Sequence, residues 1–199
     1  VTMKNQPRGK LIIQKRDSQT NQVLPGAQFR VTTAAGCEVG LDGVIGTATL
    51  TSNGIFTTDS QGEIRLSNLA PGAYVISEIK APDGYVMDNP STNVVIGSGG
   101  DTQTVIITNT PKATLTITKR DAVPRKPLAN AEFIVRDSEG HAVGPTNGIY
   151  KTGTDGTVIV SGLEPGSTIM VFETRAPTGY ILDETPKSIV VKSGISNSL

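Results

Sequence analysis

The chain has 199 residues and a formal net charge of zero, with 18 Lys+Arg against 18 Asp+Glu. A balanced charge gives no preference for nucleic acid or for an anionic membrane surface, and no apolar run approaches the roughly 20 residues of a membrane span. The length exceeds that of one small β domain and suits two domains of about 100 residues each.

The composition is typical of strands and turns. Trp is absent and aromatic residues make up 4%, whereas Gly (22 residues) and Pro (12 residues) are plentiful. Cys37 is the single cysteine, so no disulfide can form within the chain. Small extracellular domains usually need a stabilising covalent crosslink, and no disulfide can provide one within this chain.

The chain is a tandem repeat. The stretch GKLIIQKRD (9 to 17) returns as ATLTITKRD (113 to 121), which puts Lys119 at 119 − 15 = 104 residues after Lys15. VLPGAQF (23 to 29) returns as PLANAEF (127 to 133) at the same offset. The first copy holds about ten extra residues, AAGCEVGLDGV and neighbours, with Cys37 in this insertion. A repeat of this length indicates duplicated domains rather than a solenoid.

Each copy contains six or seven short apolar segments separated by Gly, Pro, Asn and Asp turns. This spacing predicts an all-β fold of two tandem antiparallel β-sandwich domains. We expect residues 1–8 to be the end of a preceding repeat, residues 9–110 the first domain, and residues 111–199 a second domain that lacks its last strand. The short segment TPKAT (110 to 114) is the predicted linker.

One twelve-residue stretch occurs in both copies, YVISEIKAPDGY (74 to 85) and IMVFETRAPTGY (169 to 180). Side chains alternate between the faces of a strand, so Tyr74 and Ile76 share the face of Glu78, as Ile169 shares the face of Glu173. If this face is the core, each domain buries one carboxylate. An unpaired buried carboxylate costs several kcal/mol, so a chemical reason for it is expected.

The order of motifs resembles a known family. A Lys-x-Asp strand, then Leu-x-x-Ala-x-Phe, then Glu-x-x-Ala-Pro-x-Gly-Tyr and a final strand ending in Asn-Thr-Pro are similar to the B-type repeats of Gram-positive collagen adhesins. The Cna-B or SpaA-like domains of pilin backbone subunits have the same order. The resemblance covers nearly the whole chain and implies Ig-like or prealbumin-like sandwiches. It also implies an intramolecular isopeptide bond in each domain, between a Lys of the first strand and an Asn of the last, promoted by a Glu between them.

In the first domain, the residues that match the family are Lys15 in QKRD, Glu78 in SEIKAP and Asn109 in TNTP. In the second domain they are Lys119 in TKRD and Glu173 in FETRAP.

The second domain departs from the family at its acceptor. The position that matches Asn109 falls beyond Leu199, and Asn197, the alternative acceptor nearby, aligns with Thr102. Asn5 precedes Lys15 by ten residues, as Asn109 precedes Lys119 by 119 − 109 = 10 residues. The segment 1–5 is therefore interpreted as the closing strand of a preceding repeat, and Asn5 as an acceptor in trans.

The chemistry can also be argued from the residues. Burial disfavours charge, so it lowers the pKa of a lysine and raises that of a glutamic acid. A neutral amine is a nucleophile, and a protonated carboxyl can donate to the Asn carbonyl oxygen and polarise it. Ammonia leaves and an amide crosslink remains. The reaction occurs once per domain, so the protein is predicted to modify itself and not to be an enzyme with turnover.

Ordinary structural roles compete with these assignments. Lys15 and Lys119 could be solvent-facing strand lysines, and a register slip of one residue would turn Glu78 and Glu173 to water. Asn109 could terminate a strand. The single His and the spacing of the acidic residues make no metal site or triad, so neither a metal nor a cofactor is predicted.

We therefore expect a structural stalk or pilus-shaft module of a Gram-positive surface protein, stabilised by self-formed Lys-Asn bonds. Its expected partners are neighbouring repeats of the same protein, with no nucleic acid and no membrane. Its expected location is extracellular, attached to the cell wall through regions outside this sequence. The alternatives are an adhesin module that binds a host protein, with residues 34–50 as a surface loop, and the accessory sandwich of a secreted enzyme.

Overall fold

A computed structural model describes residues 5–40, 42–43, 54–195 and 197–199. The chain divides into two compact units, Val1–Pro111 (unit one) and Lys112–Leu199 (unit two). Strands and turns dominate both, and the one helical segment of the described residues is a 3-10 turn at Thr146–Gly148. None of these residues forms a helix with the length and apolar character needed to span a membrane.

The described residues of unit one form eight strands in two four-stranded sheets. The sheet orders are β4-β1-β8-β6 and β3-β2-β5-β7. Apolar side chains from both sheets form one core cluster, which includes Leu11, Phe29 and Tyr74. The strands are β1 (Gly9–Asp17), β2 (Gln28–Thr33), β3 (Ile55–Thr57), β4 (Glu63–Leu69), β5 (Gly72–Lys80), β6 (Tyr85–Val86), β7 (Ser91–Ile96) and β8 (Thr102–Pro111).

Unit two repeats this architecture, with seven strands in the part of it that the structure describes. The sheet orders are β11-β10-β13-β14 and β12-β9-β15. The strands are β9 (Ala113–Thr118), β10 (Glu132–Asp137), β11 (Ile149–Lys151), β12 (Thr157–Leu163), β13 (Thr168–Arg175), β14 (Lys187–Val190) and β15 (Asn197–Ser198). The prediction of an all-β fold with two tandem sandwiches is confirmed.

The first and last strands of each unit are neighbours and run parallel, whereas the other described strand pairs are antiparallel. In unit one the register pairs Lys15 with Ile107 and Asp17 with Asn109. Each predicted antiparallel sandwich therefore contains one parallel pair, formed by its first and last described strands. This parallel pairing places Lys15 and Asn109, which lie near opposite ends of unit one in the sequence, on adjacent strands.

A buried threonine explains the Leu-x-x-Ala motif in both copies. The Thr58 hydroxyl donates to the carbonyl of Leu24 at 2.9 Å and accepts from the amide of Ala27 at 3.0 Å. Thr152 makes the same two bonds, to Leu128 and Ala131, in unit two. One side chain thus satisfies two backbone groups of a turn that enters the core.

The position of the insertion and the length of the linker both differ from the sequence predictions. The carbonyl of Cys37 accepts from Thr33 as that of His141 accepts from Asp137, so the hairpin with Cys37 has a counterpart in unit two. The extra residues of the first copy therefore follow Gly40, and most of them, with most of the surface loop 34–50, lie outside the described residues. The linker between the two domains is also shorter than predicted, because β8 ends at Pro111 and β9 begins at Ala113.

Candidate isopeptide site

The alternation of β1 places Lys15 in the interior of unit one. The buried residues of β1 alternate with less buried ones along the whole strand, and they are Gly9, Leu11, Ile13, Lys15 and Asp17. Lys15 is fully buried, and its Nζ lies 5.7 Å from the centre of the Phe29 ring. A buried ammonium without partners is strongly unfavourable, so the contacts of Nζ decide whether this arrangement is stable.

Lys15, Glu78 and Asn109 meet in the core and satisfy one another. Lys15 Nζ lies 3.0 Å from Glu78 Oε2 and donates to Asn109 Oδ1 at 2.6 Å. Asn109 Nδ2 donates to Glu78 Oε1 at 2.8 Å. Lys15 and Asn109 come from the adjacent strands β1 and β8, whereas Glu78 comes from β5 of the other sheet. The three side chains therefore form a closed triangle that joins the two sheets.

The electrostatics of the triangle shift both titratable groups toward their neutral forms. Desolvation by burial lowers the pKa of Lys15, although the hydrogen bond and charge of Glu78 oppose that shift. Desolvation likewise raises the pKa of Glu78 against the opposing effect of Lys15 and Asn109. Both pKa shifts have the direction that is expected for a nucleophilic amine beside a carboxylic acid.

The amide of Asn109 is oriented differently from the sequence expectation. The carboxyl of Glu78 was expected to donate to the Asn carbonyl oxygen, but Glu78 Oε1 contacts the amide nitrogen, and the carbonyl oxygen faces Lys15. This arrangement matches a charged pair, in which the ammonium only donates and the carboxylate only accepts. The carboxyl therefore contacts both the attacking nitrogen and the nitrogen that would leave.

A second interaction, between Asp17 and Tyr85, was missed by the sequence analysis. Tyr85 Oη donates to Asp17 Oδ2 at 2.9 Å, which connects the Ala-Pro-x-Gly-Tyr turn to the end of β1. Burial by itself would raise the pKa of Asp17, but backbone amides of Thr20 and Gln19 and the Tyr85 hydroxyl lower it below its ordinary value. The recurrence of Asp and Tyr in both copies was a usable signal for this pair.

Among the described residues, the corresponding site of unit two brings together Lys119 and Glu173. Lys119 Nζ lies 2.8 Å from Glu173 Oε2, which also accepts from the backbone amide of Asp183 at 2.8 Å. The Lys119 side chain is 19% exposed, whereas that of Lys15 is 0% exposed. Glu173 Oε1 is buried and has no hydrogen-bond partner. This oxygen corresponds to Glu78 Oε1, which accepts from Asn109 in unit one.

A cavity of about 120 Å³ lies beside these two residues. Lys119 and Glu173 line it together with Leu199, and an apolar wall is formed by Ile117, Phe133 and Val171. The cavity thus lies beside the buried carboxyl of Glu173.

Asn197, the alternative acceptor within unit two, is not among the residues that line this cavity. Asn197 pairs with Leu115, so its register position matches Gln103 and not Thr102 as the sequence alignment placed it. Its amide is occupied by backbone groups, since it accepts from the amide of Lys192 and donates to the carbonyl of Thr114. Asn5 is exposed.

The residues described by the structure contain no group of three or more His, Cys, Asp or Glu side chains that could hold a metal ion. Cys37 is exposed and unpaired. The His141 ring lies 3.1 Å from Asp137 at an exposed turn.

The family known as SpaA, described as a prealbumin-like fold domain, matches residues 9–111 and 113–199. The chain belongs to the SpaA prealbumin-like family. The resemblance recognised in the sequence is thereby confirmed, as are the two prealbumin-like domains. No curated protein matches the sequence significantly.

Solved structures of two pilins and of a Bacillus anthracis protein resemble this SpaA-family chain. A streptococcal ancillary pilin is 26% identical with a TM-score of 0.52, and the match covers 98% of this chain and 62% of the pilin. The shaft pilin SpaA of Lactobacillus rhamnosus GG has a TM-score of 0.52 at 14% identity, with 98% and 96% coverage, which shows the shared fold. The Bacillus anthracis TIE protein is 28% identical with a TM-score of 0.45, over 97% of this chain and 33% of that protein. The chain thus spans about a third of the TIE protein and about three fifths of the ancillary pilin.

Proposed function

We propose that unit one forms an intramolecular isopeptide bond between Lys15 and Asn109, promoted by Glu78. The observation that carries this proposal is the closed triangle, in which the amine lies 2.6 Å from the oxygen of the amide it would attack. Groups held in contact react as one molecule, which can remove about 7–11 kcal/mol of the barrier.

The atoms of the step balance without any further reactant. Glu78 Oε2 accepts one proton from the Lys15 ammonium, and the neutral Nζ attacks Asn109 Cγ to form the Nζ–Cγ bond. Glu78 delivers that proton to Nδ2 through Oε1, so that the Cγ–Nδ2 bond breaks, and it keeps the second proton that Nζ loses as the new amide forms; both transfers use contacts seen in unit one. Ammonia is released. The role of Glu78 is thus proton transfer between two nitrogens, in place of polarising the carbonyl oxygen.

The position of the bond suits a chain under tension. Force that enters unit one at β1 passes from Lys15 to Asn109 and leaves through Pro111, so the residues between them are not extended. The bond closes a loop of 94 residues, which is worth about 4–5 kcal/mol if estimates for disulfides apply. It would provide the covalent crosslink that the single cysteine cannot form within the chain.

We therefore propose a load-bearing module in a stalk or pilus shaft at a Gram-positive cell surface. The match to an ancillary pilin and the family membership support this role, and an extracellular location follows from it. Neighbouring repeats or subunits are the expected partners.

Mass spectrometry tests the proposal on the purified chain. An intact mass lower than the sequence mass by one ammonia, with a branched peptide joining Lys15 and Asn109 after digestion, would support the bond. An intact mass equal to that of the sequence would refute it.

A further inference from the structure

The segment that follows the Ala-Pro-x-Gly turn of unit one joins the two sheets next to the isopeptide site. We call this segment, residues 85–90, the strap. It begins as β6, which pairs with the last two residues of β8, directly after Asn109. It ends at Pro90, whose carbonyl accepts from the backbone amide of Glu78 at 2.9 Å. The strap is thus attached to one sheet beside the acceptor and to the other sheet at the proposed proton carrier.

The strap is also attached to the strand that carries the nucleophile. Tyr85, its first residue, donates to Asp17 Oδ2 at 2.9 Å, and Asp17 lies two residues after Lys15 on the same buried face of β1. All three strands that supply the triangle are therefore bound to this one segment. None of these bonds includes a reacting atom, so their effect on the chemistry is to fix the distances between the strands.

Asp88 connects the strap to the acceptor strand through its side chain. Asp88 Oδ2 accepts from the Thr110 hydroxyl at 2.9 Å, and the same hydroxyl lies 3.0 Å from Ser18 Oγ. Because a carboxylate only accepts, the Thr110 proton points to Asp88, and Ser18 is the donor to Thr110. The Ser18 backbone amide also donates to the carbonyl of Asn109 at 2.9 Å. Hydrogen bonds therefore hold both Asn109 and the residue after it.

The carboxylate of Asp88 lies close enough to the triangle to act on its charges. Burial has the largest influence on the two pKa values, lowering that of Lys15 and raising that of Glu78, and the charge of Asp88 adds a smaller upward contribution to each. The interaction between charges falls with distance, so these contributions indicate nearness although Asp88 itself is exposed. This electrostatic effect agrees with the hydrogen bonds in placing Asp88 beside the site.

We propose that Asp88 is a positioning residue for the reaction of Lys15 with Asn109, and that it acts through the Thr110 hydroxyl. The proposal rests on the proposed function and adds to it a residue outside the triangle. The register of β1 with β8 ends at Asn109, so β6 and the Thr110 hydroxyl hold β8 beyond that point. Strand ends fray, and a displacement of about 1 Å at a reacting group can slow a reaction about a hundredfold.

Unit two provides a matched control residue. Asp183 corresponds to Asp88, because Tyr180 corresponds to Tyr85 and 180 − 85 = 183 − 88 = 95. Asp183 Oδ1 accepts from the backbone amide of Thr185 at 3.0 Å, within its own loop. The substitution Asp183→Asn therefore makes the same chemical change as Asp88→Asn at a site that has no part in the reaction of unit one.

The test measures the rate of ammonia loss by the full chain. The chain is made by cell-free translation, samples are quenched in acid at intervals, and intact mass gives the crosslinked fraction. Asp88→Ala and Thr110→Val are each expected to slow the reaction about ten- to a hundredfold, and the double variant is expected to be no slower than either. Asp88→Asn keeps an oxygen that can accept from Thr110 and is expected to restore most of the rate. Asp183→Asn is expected to react at the unsubstituted rate.

A second measurement tests positioning without the reaction. In the Glu78→Gln chain, which is expected not to crosslink, the amides of residues 105–111 are expected to exchange hydrogen faster when Asp88→Ala is added, but not when Asp88→Asn is added. Equal exchange in all three chains would overturn the proposal. Melting of the same chains identifies a merely structural role, because a slow reaction accompanied by early melting of the Asp88→Ala chain would mean general destabilisation and no specific positioning.

The two measurements separate this inference from the proposed function. An unsubstituted chain that keeps its full mass at every interval would refute the function itself, while hydrogen exchange still decides whether Asp88 holds the end of β8. If the unsubstituted chain loses ammonia and Asp88→Ala or Thr110→Val loses it equally fast, the function stands and the inference about Asp88 is wrong.

Discussion

Replacing Glu78 by Gln tests both the chemistry and its energetic value. Gln keeps the size of the side chain and an oxygen that can accept from Asn109, but it cannot carry a proton from Lys15 to the leaving nitrogen. The variant is expected to fold with its full mass, because both reacting groups remain in place without the proton carrier.

The expected loss of stability follows from the size of the loop that the proposed bond closes. Lys15 and Asn109 are 94 residues apart, so losing the crosslink is expected to lower the free energy of unfolding of unit one by about 4–5 kcal/mol. For a domain of this size each kcal/mol shifts the melting temperature by about 4 °C or more, which gives a decrease of about 15–20 °C. Differential scanning calorimetry of the full chain, with intact-mass analysis of the same sample, measures both quantities.

Two further variants separate the crosslink from other effects of the substitution. Asn109→Ala removes the acceptor but keeps the Lys15–Glu78 ion pair, and is expected to lower the same transition. Glu173→Gln, at the matching position of unit two, is expected to leave the mass and the melting of unit one unchanged. Loss of ammonia in Glu78→Gln, or an uncrosslinked unit one that melts at the original temperature, would contradict the reasoning.

The remaining predictions concern the framework of unit one. Tyr85→Phe removes the hydrogen bond to Asp17 and is expected to cost about 1–2 kcal/mol in urea unfolding, with a smaller effect for Tyr180→Phe, whose 3.3 Å contact is exposed. Equal losses of stability in the two variants would show that the partial burial of the Tyr85–Asp17 hydrogen bond does not strengthen it. Thr58→Val leaves the buried amide of Ala27 without its acceptor, so guanidinium unfolding is expected to show a loss of about 1–3 kcal/mol; an unchanged midpoint would contradict this. Burial and Asp17 raise the pKa of Tyr85 above 10.0, so its stabilising contribution is complete below that pH and is lost as the pH rises through the higher folded value. Burial also raises the pKa values of Tyr74, Tyr150 and Tyr180, so ultraviolet titration of tyrosinate is expected to show one late-ionising group fewer in Tyr85→Phe than in the unsubstituted chain.

Much of the site could be predicted because its residues repeat at a fixed offset. The alternation around Glu78 indicated its burial with Tyr74 and Ile76, and the structure confirms that these three residues are buried. A strand pattern has a period of two, so knowing which face is the core determines the position of every side chain along it. The same reasoning placed Glu173 inside unit two, where it is also buried.

Other features depend on pairings that a single sequence does not encode. Nothing in the pattern of β1 states that its neighbour β8 runs parallel, and the orientation of the Asn109 amide follows from partners that are remote in sequence. The place of the extra residues was misjudged because Cys37 and His141 belong to matching hairpins without similar side chains. Backbone hydrogen bonds define such hairpins, and they leave little trace in residue type.

The parallel pairing of β1 and β8 also has a consequence for how unit one folds. It joins segments about 90 residues apart, as the register of Lys15 with Ile107 shows, and contacts of such long range slow folding because a large loop must close first. A crosslinked chain closes that loop only once. Every later refolding starts from a ring in which β1 and β8 are already neighbours, so a unit that opens under load is expected to refold faster than an uncrosslinked one. The proposed amide linkage would thus keep the two ends of the fold adjacent through every unfolding that follows the first folding event.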